Sequence, residues 1–274
     1  DVCSSDLTNP SLGAIRLHPT KSLDGVSVQQ ARIGVSGGLE LDRVWALFSA
    51  DGECLNGKRT AEVQRICADF APDVSAVTLS VRDGRRQVTA QRFAFPDEHR
   101  PAADWFSGFF DQPVTVRYVP EGLPDDPERN GPMIVSTETL RTVCDWFPGI
   151  DLDEARRRFR TPLEIAGACA FWEDRLFRER EDQAVRFAVG DVAFEGTNPC
   201  PRCVVSARDS RTGADLPGFQ KRLSEQRRAH RPAWARLPNR ITHSYHLGIN
   251  TRVALKECGK TLRVGDPIRL VEAP

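Results

Sequence analysis

No stretch of the chain is apolar over the roughly 20 residues that a membrane-spanning helix needs, so no membrane span is expected. No charged-then-apolar leader opens it, and a cytoplasmic location is the expectation. The only methionine is Met133 and the first residue is Asp1. Asp1 to Leu7 therefore carry little weight, the expectation being that the natural start is missing or that the first residues are foreign to the fold. Charge of one sign is not in excess either, with 38 Lys and Arg against 38 Asp and Glu. That balance argues against a molecule built to coat nucleic acid or an anionic membrane. There is no internal repeat and no low-complexity tract. The disulfide framework of a small secreted scaffold is missing too. Eight cysteines (Cys3, Cys54, Cys67, Cys144, Cys169, Cys200, Cys203, Cys258) are spread irregularly over 274 residues. A chain of that length buries a core without cross-links, and reduced thiols are expected.

What is present is a succession of short β-like runs broken by glycine. Ala14 to His18 and Val26 to Ile33 alternate apolar and polar residues, as half-buried strands do. Val44 to Phe48 turns at Asp51-Gly52 into Cys54-Leu55, and Val77 to Val81 turns at Asp83-Gly84 into Gln87 to Ala90. Helical spacing follows. Ala103, Phe106 and Phe110 share one face. Leu140, Val143, Cys144 and Phe147 follow a cap at Ser136 or Thr137. Asp151 with Glu154 resembles a capping box ahead of Ala155 to Phe159. Pro120 to Pro132 reads as a loop and a lobe boundary. Strands return at Leu163 to Ile165, in a Val185–Phe194 hairpin, and at Thr251–Leu255, Thr261–Val264 and Ile268–Val271. Gly218 to Arg231 is basic and reads as an exposed helix or mobile flap. The expected class is mainly β with some α (α+β): two β-rich lobes with short peripheral helices.

The chain's most distinctive stretch is Asn198-Pro199-Cys200-Pro201-Arg202-Cys203. A structural zinc site needs four ligands, and this is the one Cys-x-x-Cys pair; His230, His243 and His246 lack finger-like spacing. A thioredoxin-like pair wants a βαβ context that is missing. Two inert core cysteines are the plain alternative. Arg202 favours a thiolate beside it, and a single thiolate can serve a transition metal as one ligand. Scattered cationic groups complete the picture: Lys21 with Ser22, Arg43 after Asp42, Lys58 and Arg59, and Arg160. Each alone reads as a solvated charge. Together they suit an elongated anionic organic cofactor, since arginine grips phosphate bidentately and lysine acts as a point charge.

These residues fall in a known order. Leu17-His18-Pro19-Thr20-Lys21-Ser22-Leu23-Asp24-Gly25 and Leu41-Asp42-Arg43-Val44-Trp45-Ala46-Leu47 resemble the N-terminal β-barrel that precedes MOSC domains. Phe159-Arg160, Val189-Gly190-Asp191-Val192, Cys200-Pro201-Arg202-Cys203, Arg208 to Gly213 and Val264-Gly265-Asp266-Pro267 resemble the MOSC domain itself. The resemblance runs from about Leu12 to Val271. It implies an N-terminal β-barrel domain over 8–125 and a MOSC β-barrel domain over 126–274, the two interleaving. Two-part members of that family, the mitochondrial amidoxime-reducing component and bacterial relatives, bind molybdenum cofactor (Mo-molybdopterin) and reduce N-hydroxylated compounds. By that resemblance Cys200 is the catalytic molybdenum ligand, and Lys21, Ser22, Arg43 and Arg160 contact the cofactor; Lys58, Asn198 and Arg202 are expected to bind it beside them. Cys203 is expected to be structural or supporting. The pyridoxal-phosphate-dependent part of cofactor sulfurases is absent from these residues. An external ferredoxin, flavodoxin or cytochrome-type donor is expected, with Arg222 to Arg231 as a docking face. A non-catalytic cofactor or sulfur carrier is the alternative. Two departures stand out. Pro162 replaces the family's usual asparagine after Phe-Arg-x, and Ser210 replaces a proline in Asp209-Ser210-Arg211-Thr212-Gly213.

Overall fold

The computed structural model describes residues 9–82, 88–95, 97–120, 131–180, 183–233, 235–238 and 241–271. Its elements in the first half are β1 (Ser11–Leu17), β2 (Val26–Val28), β3 (Gln30–Arg32), β4 (Trp45–Ser49), β5 (Cys54–Leu55), β6 (Ile66–Phe70), β7 (Ala76–Val81), β8 (Gln91–Ala94), α1 (His99–Phe110) and β9 (Val114–Tyr118). The second half holds β10 (Ile134–Ser136), α2 (Thr137–Trp146), α3 (Leu152–Phe159), β11 (Leu163–Ala166), β12 (Val185–Val189), β13 (Val192–Pro201), α4 (Phe219–Ala229), β14 (His246–Arg252), β15 (Thr261–Arg263) and β16 (Ile268–Leu270). The mixed α+β class matches the expectation.

An eight-stranded sheet in the order β16-β12-β13-β14-β10-β11-β1-β2 is the spine. Its two flanks meet. Leu12 N donates to Asp266 O (2.8 Å) and Ile268 N to Pro10 O (2.8 Å), so the β1 side curls back onto the β16 side. The first and last parts of the chain therefore share one sheet, and β3 pairs with β15 as well. Two three-stranded sheets, β5-β4-β9 and β6-β7-β8, complete the first half. The expected Pro120–Pro132 boundary and the Asp83-Gly84 turn fall largely or wholly outside the described residues. The strand returning from β7 starts at Gln91 rather than at Gln87, with Leu79 opposite Gln91.

The helices form where their caps and apolar faces dictate. Ser136 Oγ accepts from Thr139 N (3.1 Å) and starts α2. Asp151 Oδ1 accepts from Glu154 N (2.7 Å) and starts α3. The return half of a capping box is not made. Glu154 instead takes Arg158 Nε (2.6 Å) and Ser210 N (3.0 Å), tying α3 to the turn after the cysteines. Phe147, Phe159, Phe219 and Leu223 pack these helices with α4 into one core, while Ile15, Leu163, Phe187 and Ile249 belong to the larger core on the main sheet.

Lys221, Arg222 and Arg228 make α4 the exposed basic helix expected, but Arg227 departs from it. It is 1% exposed, and its Nη2 donates to both oxygens of buried Asp174 at 2.8 and 3.0 Å. Six cysteines are free thiols, but Cys169 is disulfide-bonded, which departs from the expectation that all are reduced.

Beside Asp174 and beneath β13 and β14, Glu173 Oε2 accepts a hydrogen bond from the Thr139 hydroxyl (3.0 Å). Burial and then the neighbouring Asp174 carboxylate push Glu173 up to about 7 from 4.5. A raised acid binds a proton more tightly when folded. Its contribution is complete below the unfolded value and lost as pH rises through about 7. Glu173→Gln is therefore expected to flatten the fall in urea-unfolding free energy between about pH 5 and 8. An unchanged slope would assign the pH dependence to other groups.

Candidate functional site

The loops that join the first-half strands and the β13 end of the main sheet enclose a cleft of about 290 Å³. That is the lower end of the range for small-molecule sites. Lys21, Ser22, Arg43, Lys58, Arg160, Cys200 and Arg202 all line it. Asn198, expected among them, does not. It is 5% exposed, its Nδ2 donating to Pro199 O (2.8 Å) and its Oδ1 accepting from Thr197 Oγ1 (3.1 Å).

Three of the lining residues are held in left-handed backbone conformations without being glycine: Ser22 (φ 69°), Arg43 (φ 55°) and Arg160 (φ 48°). Such conformations cost on the order of 1 kcal/mol each, and local bonds hold them. Ser22 Oγ accepts from Gly57 N (3.0 Å). Arg160 closes α3, its N donating to Arg156 O (2.8 Å), and its Nη1 donates to Leu23 O. Arg43 N donates to His18 O (2.8 Å). Lys58 is set by an Asx turn, Asn56 Oδ1 accepting from Lys58 N (2.9 Å).

Asp42 clamps the cationic wall. It accepts from Arg43 Nε (2.8 Å) and Nη2 (2.8 Å) on Oδ2, and from His18 N (2.7 Å) on Oδ1. Burial alone would raise its carboxyl. The Arg43 guanidinium and the His18 hydrogen bonds overcome that and hold it well below the usual carboxylate range. His18 is buried, and burial followed by repulsion from Arg160 pulls its imidazole down to about 3, so it stays neutral near pH 7. Burial and then repulsion by Arg43 bring Arg160 down to about 10, leaving it charged.

The sulfur end is built on β13. Cys200 sits in the strand and Cys203 on the exposed turn after it. Arg202 Nη1 lies 3.3 Å from Cys200 Sγ and 3.0 Å from Met133 Sδ. Its Nη2 donates to Phe159 O (2.6 Å), and its guanidinium stacks 5.5 Å from the Phe159 ring centre. No cluster of three His, Cys, Asp or Glu side chains suited to a metal ion occurs among the described residues. Among the described residues the two thiols therefore have no protein partners of a structural zinc site.

Around the cleft, Arg160 Nη2, Arg202 Nε and Asn250 Nδ2 are buried with no hydrogen-bond partner among the described residues. A buried donor left unpaired costs about 1–3 kcal/mol. These donors suit an anionic ligand rich in acceptor oxygens. Of these groups Asn250 and Met133 carry no sequence signal that spacing could have revealed. Asp42 and Asn56 precede Arg43 and Lys58 closely enough to be guessed as their supports. The two departures are absorbed locally. Asp209 Oδ1 still accepts from Thr212 N (2.8 Å), holding the turn, while Ser210 Oγ donates to Glu154. Pro162 offers its carbonyl to Arg16 N (2.8 Å).

Fold and cleft together define an α+β protein whose cleft joins a cationic wall to a thiol pair. Residues 10–113 match the family model described as the MOSC N-terminal beta barrel domain. Mitochondrial amidoxime-reducing component 1 of Danio rerio is 25% identical over 229 residues, spanning 72% of this chain and 68% of that protein. Mitochondrial amidoxime reducing component 2 of Bos taurus is 22% identical over 232 residues, spanning 72% of this chain and 66% of that protein. Molybdenum cofactor sulfurase of Bos taurus is 22% identical over 275 residues, 83% of this chain but 30% of that protein. Among solved structures, YiiM from Geobacillus stearothermophilus aligns at a TM-score of 0.33 and 14% identity, over 52% of this chain and 54% of that one. Residues 10–113 thus carry the likeness to the MOSC N-terminal beta barrel domain, and the chain is distantly similar to the amidoxime-reducing components. No helix among the described residues is long and apolar enough to cross a membrane.

The clamp can be tested without any ligand. Asp42→Asn keeps the shape and removes the charge, and it is expected to cost about 2–3 kcal/mol at pH 7. A depressed carboxyl stabilises the fold above its unfolded value of 3.8 and loses that contribution as pH falls through the folded value. The gap between variant and wild type in urea unfolding should therefore shrink in acid. A gap constant down to low pH would refute the electrostatic account.

Proposed function

We propose that this protein binds molybdenum cofactor in the cleft and reduces N-hydroxylated or N-oxygenated small molecules. The observation that carries the reading is the meeting, in one cleft, of Lys21, Ser22, Arg43, Lys58 and Arg160 with Cys200 and Arg202. These residues are far apart in sequence, and together they match an anionic ligand with a sulfur-binding metal at one end. Lys21, Ser22, Arg43, Lys58 and Arg160 would hold the phosphate and pterin side. Cys200 would supply the metal's protein thiolate, with Arg202 fixed against its sulfur. When bound, the cofactor supplies a two-electron centre able to accept oxygen. Removing the oxygen of an N–OH group takes two electrons and two protons and releases water. The electrons come from a separate redox protein such as a ferredoxin, flavodoxin or cytochrome system.

A specific observation favours a second reading of the ligand. Cys203 also lines the cleft and is the more exposed thiol, while the Cys200 sulfur is already approached by Arg202. Protein made in a cofactor-competent host should contain molybdenum by elemental analysis and should reduce benzamidoxime with an artificial donor. Cys200→Ala is expected to abolish reduction and Cys203→Ala to leave much of it. The opposite order would move the ligand to Cys203. Molybdenum without turnover would leave a carrier of cofactor or sulfur, and zinc without molybdenum would sink both readings.

A further inference from the structure

Asn250 lies in β14, opposite Asn198 of β13. It lines the cleft together with Met133, Cys200 and Arg202. The residue is 9% exposed. Its main-chain carbonyl is satisfied by the Thr197 hydroxyl at 3.0 Å. Its side-chain Nδ2 is buried and has no partner among the described residues. Arg202 is in a similar condition at one atom. Its Nη1 faces the sulfurs of Cys200 and Met133, and its Nη2 the Phe159 carbonyl. Nε alone is left buried without a partner.

Packing does not account for this amide. A leucine fills a similar volume without burying an unpaired donor, and the amide lowers the stability of the empty protein. Stability given up at a cleft residue is the usual mark of a group kept for a ligand. We propose that Asn250, together with the Nε of Arg202, recognises an acceptor oxygen of the ligand at the sulfur end of the cleft. The inference rests on the cofactor reading above and extends it to a residue outside the cationic wall. The oxygen is either a ring carbonyl of the bound pterin or the N–O oxygen of the substrate.

The test compares wild type with Asn250→Leu and Asn250→Asp, made in a cofactor-competent host and, for the empty form, in one lacking pterin synthesis. Asn250→Asp keeps the shape and replaces the donor by an acceptor, which separates loss of the hydrogen bond from loss of fit. Molybdenum and pterin per chain falling several-fold in both variants would assign the oxygen to the cofactor. Unchanged content with KM for benzamidoxime raised about tenfold and kcat little changed would assign it to the substrate. Content and KM both within about twofold of wild type would overturn the inference. The empty Asn250→Leu protein is expected to melt about 2–4 °C above wild type, because an unpaired donor has gone. If wild type itself takes up no molybdenum, the cofactor reading fails and this inference with it, whereas the absence of a rise in the melting comparison overturns the Asn250 inference by itself.

Discussion

Gathering like charges is the constraint on which the site depends. Burial is the larger cost of the charge on Arg160, and repulsion from the neighbouring Arg43 adds to it. Asp42 offsets part of this by taking two nitrogens of Arg43. His18 holds Asp42 in turn while remaining uncharged, so it adds a hydrogen bond without adding another positive group. The left-handed backbone at Ser22, Arg43 and Arg160 is the geometric side of the same constraint. Residues are kept in unfavoured conformations where the surrounding bonds over-determine them. Here those bonds come from Gly57, His18 and the last turn of α3.

At the sulfur end rigidity is gained differently. β13 carries Cys200 at its end, and its pairing with β14 shifts register between Gly196 and Asn198 and again between Pro199 and Pro201. Bulges of this kind re-aim side chains near sites. Proline on either side of Cys200 removes donors that an unbroken ladder would need. Arg202 then bridges strand, helix and core by reaching Cys200, Met133 and Phe159 at once.

Much of this was legible in the sequence where local rules govern. Ser136 and Asp151 cap their helices as their side chains predict, and the Val185–Phe194 hairpin turns at Gly190. Charged residues spread over Lys21 to Arg202 could be grouped by their common chemistry before their positions were known. Long-range effects were not legible. Nothing in Ser22, Arg43 or Arg160 signals a positive φ, since the usual marker is glycine or asparagine. Arg227 looks like any surface arginine until Asp174, far away in sequence, is placed beside it. The strand pairing β7 was displaced from its expected start because alternation fixes a face but leaves the end of a strand open. Asn198 sits beside the cysteines in sequence, yet its side chain turns to Thr197 and Pro199.

The curled eight-stranded sheet has a consequence for how the protein is made. β1 emerges before the other strands of this sheet, and beside its local partner β2 it pairs with β11 and, through Leu12 and Pro10, with the segment leading into β16. Pairings of such sequence separation carry a large loop-closure cost and fold slowly. The cationic wall is translated early and the thiol strand late, and the cleft has no floor until both have docked. The cleft is thus complete only at the end of folding. A nascent chain stalled before β14 would expose the unpaired edge of β13 beside two thiols, a species for chaperones.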